Sequence, residues 1–172
     1  MDPIARPGQA APDFELPDLE GNLYRRSSLV GRILVINFWS ADCPHSVRAD
    51  KRLLELKSQW GDRVAVWSVA SNRNERVVDL AQAAAERAVK PLLLDPDQAV
   101  FDLYGAQATP HMFLIDAAGI VRYAGAPDDV TFGRPQPTRS YIGAAVAALL
   151  AGGGPPLTES PAYGCAIVRM AG

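Results

Sequence analysis

The stretch that decides the fold reads ILVINFWSADCPHS and covers residues 33–46. Its first seven residues are apolar almost without interruption, which is typical of a strand buried on both faces of a sheet. Pro44 follows the break in this run and favours the first turn of a helix, where its missing N–H is no loss. Cys43 therefore lies between a buried strand and a helix N-terminus, whose unpaired N–H groups lower the pKa of a thiol. This position favours a reactive cysteine over a buried, inert one.

On both sides of this stretch, the apolar pattern predicts further strands and helices. Because helices connect the first strands, those strands must be parallel, whereas a closing hairpin adds antiparallel ones. The sequence thus predicts an α/β domain with a mixed sheet over residues 1–152 and a tail, 153–172, that carries the second cysteine. Besides 33–39, the predicted elements are an N-terminal hairpin (14–16 and 23–24), strands at 64–70, 92–94, 112–115 and 120–124, and helices at 44–60, 77–88, 97–104 and 141–151.

Length and composition limit the possible functions. The chain has 172 residues, of which 48% are hydrophobic, and this suits one packed domain. A net charge of -2 and the absence of a Lys/Arg run argue against nucleic-acid binding. Residues 1–14 contain no apolar stretch of signal-peptide length, and no segment is long enough to span a bilayer. We expect a soluble, cytoplasmic chain as given, extracytoplasmic if a leader was removed, and the sequence indicates no oligomeric state.

Residues 38–46 resemble the active-site loop of the thioredoxin superfamily. The aromatic-Trp pair before Cys43-Pro44, and Asn37 just upstream, are most similar to the TlpA/ResA-like branch of thiol-disulfide oxidoreductases, which is related to the redoxin and AhpC/TSA proteins. The resemblance extends over about residues 10–152. It implies a thioredoxin-like fold with a central mixed sheet flanked by helices, an N-terminal hairpin and a C-terminal tail, and it implies no cofactor.

The resemblance also assigns roles around the Thr109-Pro110 pair. In that family the matching bond is cis and lies against the nucleophilic sulfur, where it presents a backbone edge to an extended disulfide partner. Pro110 is then part of the catalytic site, and Trp39, Thr109 and His111 are expected to contact the substrate. The implied partners are protein disulfides or glutathione-type thiols.

One residue departs from the family pattern, because Ser46 stands where the resolving cysteine should be. A lone thiol that attacks a disulfide stops at the mixed disulfide. Either another thiol resolves the bond, or Ser46 is an engineered change made to trap a partner, or the oxidoreductase function has been lost. Cys165 is the one internal candidate, in a tail segment (161–167) that resembles the ends of some peroxiredoxin-related bacterial proteins. It could equally be a partly exposed, unpaired cysteine.

The two histidines of the chain both fall near Cys43 in the expected fold. His45 lies inside the loop and His111 follows Pro110. A protonated imidazole would favour the thiolate. We therefore predict that His45 takes part in catalysis by lowering the pKa of the Cys43 thiol.

Three other functions compete with disulfide exchange. A thiol peroxidase or redox sensor would use Ser40 as its hydroxyl, but Ile36 replaces the expected proline and no arginine can be assigned. A non-catalytic binding module would use the groove beside Thr109-Pro110. The two cysteines and two histidines could bind copper or zinc, yet the Cys-x-His spacing does not match thioredoxin-fold copper chaperones, so no metal site is predicted.

Overall fold

The computed structural model describes residues 5–169. Two short strands, β1 (Glu15–Pro17) and β2 (Leu23–Arg25), form the predicted N-terminal hairpin. The other strands and α-helices are, in chain order, β3 (Ile33–Trp39), α1 (Pro44–Trp60), β4 (Val64–Ala70), α2 (Val77–Arg87), β5 (Leu92–Leu94), α3 (Ala99–Leu103), β6 (His111–Ile115), β7 (Val121–Gly125) and α4 (Tyr141–Leu150). Single 3₁₀ turns at Arg26–Leu29 and Gly61–Arg63 precede β3 and β4.

Strand β3 is the central strand of a five-stranded sheet with the order β5-β4-β3-β6-β7. The strands β3, β4 and β5 are parallel, whereas β6 is antiparallel to β3 and β7 is antiparallel to β6. The predictions of a mixed sheet and of a strand at 33–39 are confirmed. Trp39 is in register with Ala70, so β3 and β4 end at the same edge of the sheet. The segments that follow these two strands form the candidate site.

Side chains of β3 pack into buried cores on both faces of the sheet, and the apolar ones from Leu34 to Phe38 belong to the two larger cores. Leu34, Ile36 and Phe38 lie in an aromatic-rich core with residues of α3 and the N-terminal hairpin. Val35 lies in the opposite core, against α1 and α4. Because each large buried side chain contributes about 1.5–3 kcal/mol, the two cores fix the strand that leads to Cys43. Asn37 is also fully buried, and its side-chain amide has no hydrogen-bond partner among the described residues.

Helix boundaries follow local capping. Helix α1 begins at Pro44, as predicted, with Cys43 as its extended N-cap residue. Helix α3 is shorter than the predicted 97–104. The Asp95 carboxylate accepts hydrogen bonds from the N–H groups of Val100 (3.2 Å) and Phe101 (2.9 Å) and thereby caps the first turn. The last strand, β7, lies one residue later than predicted.

The C-terminal tail returns to the sheet. Glu159 forms an isolated β-bridge with Ala124 of β7. Cys165 forms another β-bridge with Thr109, just before β6. Residues 170–172 of the predicted tail and residues 1–4 of the predicted domain lie outside the described residues. No helix within residues 5–169 is both long and apolar enough to cross a membrane.

Candidate active site

Cys43 lies at the N-terminus of α1 and is only 1% exposed. Its sulfur forms a disulfide bond with Cys165, which is 122 residues away in the chain. The two Cα atoms are 6.1 Å apart, within the usual range for a disulfide. Cys165, the internal candidate for the resolving thiol, therefore occupies the position from which it can exchange with Cys43.

The backbone edge before Pro110 is occupied by the tail. The Thr109-Pro110 bond is cis, as the resemblance implied. The N–H of Thr109 donates to the carbonyl of Cys165, and the N–H of Cys165 donates to the carbonyl of Thr109, both at 2.9 Å. The same Thr109 carbonyl oxygen lies 3.3 Å from the sulfur of Cys43. The tail is thus paired where an extended disulfide partner was expected to pair.

Ser46 lies in the first turn of α1 and is fully buried. Its hydroxyl oxygen accepts a hydrogen bond from the N–H of Ser40 at 3.3 Å, which closes the loop between β3 and α1. A hydroxyl cannot exchange with a disulfide, so the observed role of Ser46 is to hold the geometry of this loop.

The structure changes the expected role of His45. Its Nδ1 accepts a hydrogen bond from the Arg48 guanidinium at 2.7 Å, and Arg48 also forms an ion pair with Asp128 at 3.2 Å. Burial, together with the positive charge of Arg48, lowers the pKa of His45 from its usual 6.5. The imidazole is therefore neutral near neutral pH, and the expectation of a protonated ring beside the thiolate is corrected. The His45 ring makes a T-shaped contact with Tyr163 of the tail, with ring centroids 5.2 Å apart.

His111 is also a neutral residue. Its side chain is buried against Phe113, with stacked rings 4.7 Å apart, and its Nδ1 accepts a hydrogen bond from the N–H of Gln107 at 3.1 Å. Burial lowers the pKa of His111 to about 4. It therefore brings no positive charge to the site. His111 lines an open cleft of about 790 Å³ between the sheet and tail residues 158–162.

Trp39, expected to contact the substrate, is fully buried behind the loop. Its indole N–H donates to the Asp50 carboxylate at 2.8 Å, and the Arg87 guanidinium lies 4.9 Å from the ring centroid. Arg87 also pairs with Asp50 at 3.1 Å and donates to the carbonyls of Ser40 and Ala41. Burial raises the pKa of Asp50, against the hydrogen bonds from Trp39 and Arg87, which lower it. The expected substrate contact is corrected: the buried Trp39 side chain helps to position the loop through Asp50 and Arg87.

Ser40, the hydroxyl considered for a peroxidase, is bound to a carboxylate. It donates to Glu75 at 2.8 Å and accepts a hydrogen bond from the Asn72 amide at 3.0 Å. Glu75 also accepts the N–H of Asp42 at 2.9 Å. The loop before Cys43 is thus held by a residue from the segment between β4 and α2.

Three residues of this framework were missed by reasoning from the sequence. Asp50 offers a signal, because it stands three residues before the buried Leu53 on the apolar face of α1, where a charge is unexpected. Arg87 and Glu75 offer none, since their partners lie 37 and 35 residues away in the chain. Among residues 5–169, no three His, Cys, Asp or Glu side chains lie close enough together to hold a metal ion.

Comparison with known proteins places this geometry in a family. Residues 7–124 match the AhpC/TSA family. The thiol:disulfide interchange protein DsbE of Allochromatium vinosum is 30% identical over 115 residues, which are 66% of this chain and 62% of that protein. The thiol-disulfide oxidoreductase ResA of Halalkalibacterium halodurans is 29% identical over 117 residues, 67% of this chain and 66% of that protein. The chain spans slightly less than two thirds of the length of these curated relatives.

A solved structure resembles nearly the full length of the chain. The crystal structure of a hypothetical protein from Sinorhizobium meliloti 1021 has a TM-score of 0.87 and 31% sequence identity, with 96% of both chains covered. A helix that begins directly after a cysteine in the loop that follows a central strand, with a cis proline facing that cysteine, is the arrangement of the thioredoxin-like fold. Within this fold, the chain belongs to the AhpC/TSA family. The resemblance of residues 38–46 to thiol-disulfide oxidoreductases is confirmed at the level of the family.

Proposed function

We propose that this protein is a thiol-disulfide oxidoreductase in which Cys43 attacks the substrate and Cys165 resolves the mixed disulfide. The observation that carries the proposal is the Cys43–Cys165 bond, formed while Cys165 is paired with Thr109 beside Pro110. Protein disulfides or glutathione-type thiols are the proposed partners. In this proposal residues 1–152 form the catalytic domain, and residues 153–172 form a tail that supplies the second thiol.

The proposed cycle has two exchange steps. The Cys43 thiolate attacks one sulfur of the substrate disulfide, so that a Cys43–substrate bond forms and the other substrate sulfur leaves as a thiolate. The Cys165 thiolate then attacks the Cys43 sulfur and releases the second substrate sulfur, also as a thiolate. Both released thiolates take up protons from solvent. The substrate has gained two electrons, and an external thiol must reduce the Cys43–Cys165 bond before the next cycle.

Removing Cys165 tests this mechanism. The reduced Cys165→Ala chain, mixed with a protein that carries one accessible disulfide, should accumulate a covalent adduct through Cys43, because no internal thiol can release it. The unmodified chain should release reduced substrate and end with the internal disulfide. Both results are measured by intact mass after acid quenching, with the double variant Cys43→Ala, Cys165→Ala as the control that forms no adduct. If Cys165→Ala released substrate as fast as the unmodified chain, Cys165 would not be the resolving thiol.

A thiol peroxidase is the second candidate, because a peroxidatic Cys43 with a distant resolving cysteine would end in the same disulfide. The surroundings of Cys43 favour disulfide exchange. The Ser40 hydroxyl donates to Glu75, and the two arginines bonded to residues around the loop, Arg48 and Arg87, are paired with carboxylates. The rates at which the reduced chain is oxidised by hydrogen peroxide and by a disulfide distinguish the candidates, and we expect the disulfide to react faster.

A further inference from the structure

The part of the tail next to Cys43, residues 163–168, is held in the groove mainly through its main chain; we call it the docked segment. Besides the pair of bonds between Thr109 and Cys165, the N–H of Val168 donates to the Asn72 side chain at 2.6 Å. The carbonyl of Val168 accepts hydrogen bonds from Gln98 at 2.7 Å and from the N–H of Arg73 at 3.3 Å. Because these bonds involve main-chain atoms of the segment, the groove can form them with any extended peptide.

The position before the cysteine is different, because the groove leaves no room there for a side chain. A Cβ atom on Gly164 would overlap the carbonyl oxygen of Thr109 and lie 2.7 Å from its carbonyl carbon. It would also lie 3.1 Å from Cδ of Pro110. These are atoms of the backbone and of a proline ring, so no side-chain rotation can relieve the clash. Only glycine fits here while the next residue is bonded to Cys43.

Two other positions of the docked segment have side-chain contacts. Ile167, two residues after the cysteine, is partly buried and packs against the aromatic-rich core. Tyr163, two residues before it, meets the ring of His45. Between them, Ala166 is exposed, so its side chain is free to vary. The groove therefore restricts the size of the residue before the cysteine of a bound peptide. After the cysteine, it offers an apolar contact to the second residue.

We infer that the docked segment is a template for the external substrate, and that the groove selects disulfides whose cysteine is preceded by glycine and followed, two residues later, by an aliphatic residue. This inference rests on the proposed function, since it assumes that substrates bind Cys43 in the groove that the tail occupies. The substrate and the tail then compete for one site. A partner with this pattern binds when the tail has left, and the returning tail displaces it.

Peptides based on the docked segment test the selection. The probe is the peptide AYGCAIV with its cysteine in a mixed disulfide to thionitrobenzoate. The Cys43 thiolate attacks the peptide sulfur, and the coloured thionitrobenzoate leaves as the thiolate. The reaction partner is the full-length, reduced Cys165→Ser chain, so that Cys43 is the one thiol. Each rate is divided by the rate of the same peptide with dithiothreitol, which removes differences in intrinsic reactivity.

The peptide with alanine in place of glycine should react at least about tenfold more slowly, because a backbone clash must be relieved. Serine in place of isoleucine should slow the reaction about fivefold, from lost apolar burial. Serine in place of the alanine after the cysteine is the matched control and should change nothing. Equal normalised rates for the glycine and alanine peptides would overturn the inference alone. Failure of Cys43 to react with any of the peptides would instead contradict the proposed function.

The tail itself provides a second measurement. In the full chain, Gly164→Ala should lower the fraction of Cys43–Cys165 disulfide at equilibrium with glutathione, with the effective concentration of Cys165 falling at least about tenfold. The control is Gly154→Ala, where an added Cβ meets no atom within 4 Å. Circular dichroism of both variants checks that the domain stays folded. An unchanged effective concentration in Gly164→Ala would contradict the template.

Discussion

The segments that carry the two cysteines are held in different ways. Around Cys43, buried side chains fix the loop: Trp39 and Arg87 both bind Asp50, and Arg87 reaches the loop carbonyls. Around Cys165, main-chain hydrogen bonds and one disulfide hold a segment in which every second residue is exposed. Buried side-chain networks open only with the domain, whereas segments with few buried contacts open locally.

This difference assigns a separate task to each segment. Apart from the disulfide of Cys43 itself, the buried side chains that hold the loop, Trp39 and Arg87, bind Asp50 and not the tail, so we expect the loop to keep its geometry when the tail leaves. The tail contributes the partly buried Ile167 to the edge of the aromatic-rich core, so we expect it to leave the groove and return at the cost of that contact while the buried residues of both cores stay packed. The experiments below test these two parts of the comparison, beginning with the largest expected effect.

Replacing Arg87 tests how strongly the loop is fixed. In Arg87→Met, Asp50 loses its ion-pair partner inside the protein, and the free energy of unfolding should fall by about 3 kcal/mol. Urea unfolding measures this value. Arg76→Met is the control, since Arg76 is exposed and pairs with Asp79 at the surface, so a loss below about 0.5 kcal/mol is expected. A loss as small as the control's would show that the loop does not depend on this buried pair.

His111 makes the sheet beside Pro110 sensitive to pH. Burial lowers its pKa to about 4 from the ordinary 6.5. Above pH 6.5 the folded and unfolded chains both hold it neutral, and between pH 6.5 and 4 only the unfolded chain binds the proton. Stability is therefore lost as the pH falls through this window, by about 2 kcal/mol between pH 7 and pH 5.

The His111→Gln variant should lose most of this pH dependence, as measured by urea unfolding at pH 7 and pH 5. His45→Gln is the comparison, and its effect should be smaller because the His45 side chain is less buried. Carboxylates with a lowered pKa, such as Asp129, do not account for this window, since their contribution is lost only at lower pH. An unchanged slope in His111→Gln would mean that the imidazole is not held neutral by burial.

Replacing Ser160 tests how firmly the tail is attached, and the expected change in stability is smaller. Its hydroxyl lies 2.7 Å from the Tyr123 hydroxyl and accepts the N–H of Ala126 at 3.0 Å. In Ser160→Ala, local opening of the tail should become about fivefold more frequent, which corresponds to about 1 kcal/mol. Hydrogen exchange at the N–H of Cys165 measures it, and Thr158→Ala, at an exposed neighbouring position, is the control. Equally faster exchange throughout β3 would contradict a separate opening of the tail.

The same division explains what the sequence could predict. Strand β3, the start of α1 at Pro44 and the N-terminal hairpin follow from local apolar patterns and local turn residues, so their prediction was confirmed. The mixed sheet was predicted from the order of the elements, whereas the thioredoxin-like fold and the cis bond came from the resemblance to a family. The partners of Trp39 could not be predicted, because the strand pattern does not say which charged residue of a later helix will reach the indole.

The protonation states of the two histidines show the same limit of prediction from the sequence. Proximity to Cys43 was predicted from position, but the protonation of His45 depends on Arg48 and on burial, which only the assembled structure combines. Arg48, one helical turn after His45, was a visible signal that the prediction did not use. Cys165 was found by counting cysteines, whereas its register against Thr109 was not predicted, because the one residue that this pairing restricts, Gly164, is not distinguished in the sequence from the glycines of an ordinary loop.

The unequal exposure of the two sulfur-bearing residues gives regeneration a direction. In the disulfide form, Cys43 is 1% exposed, whereas Cys165 is only partly buried. Under the proposed cycle, we therefore expect an incoming reductant to attack Cys165 rather than the buried Cys43. Its thiolate bonds to Cys165, and Cys43 departs as a thiolate into the N-terminus of α1, which suits the leaving group. In the proposed cycle, electrons therefore enter through the tail and pass to the substrate from the N-terminus of α1.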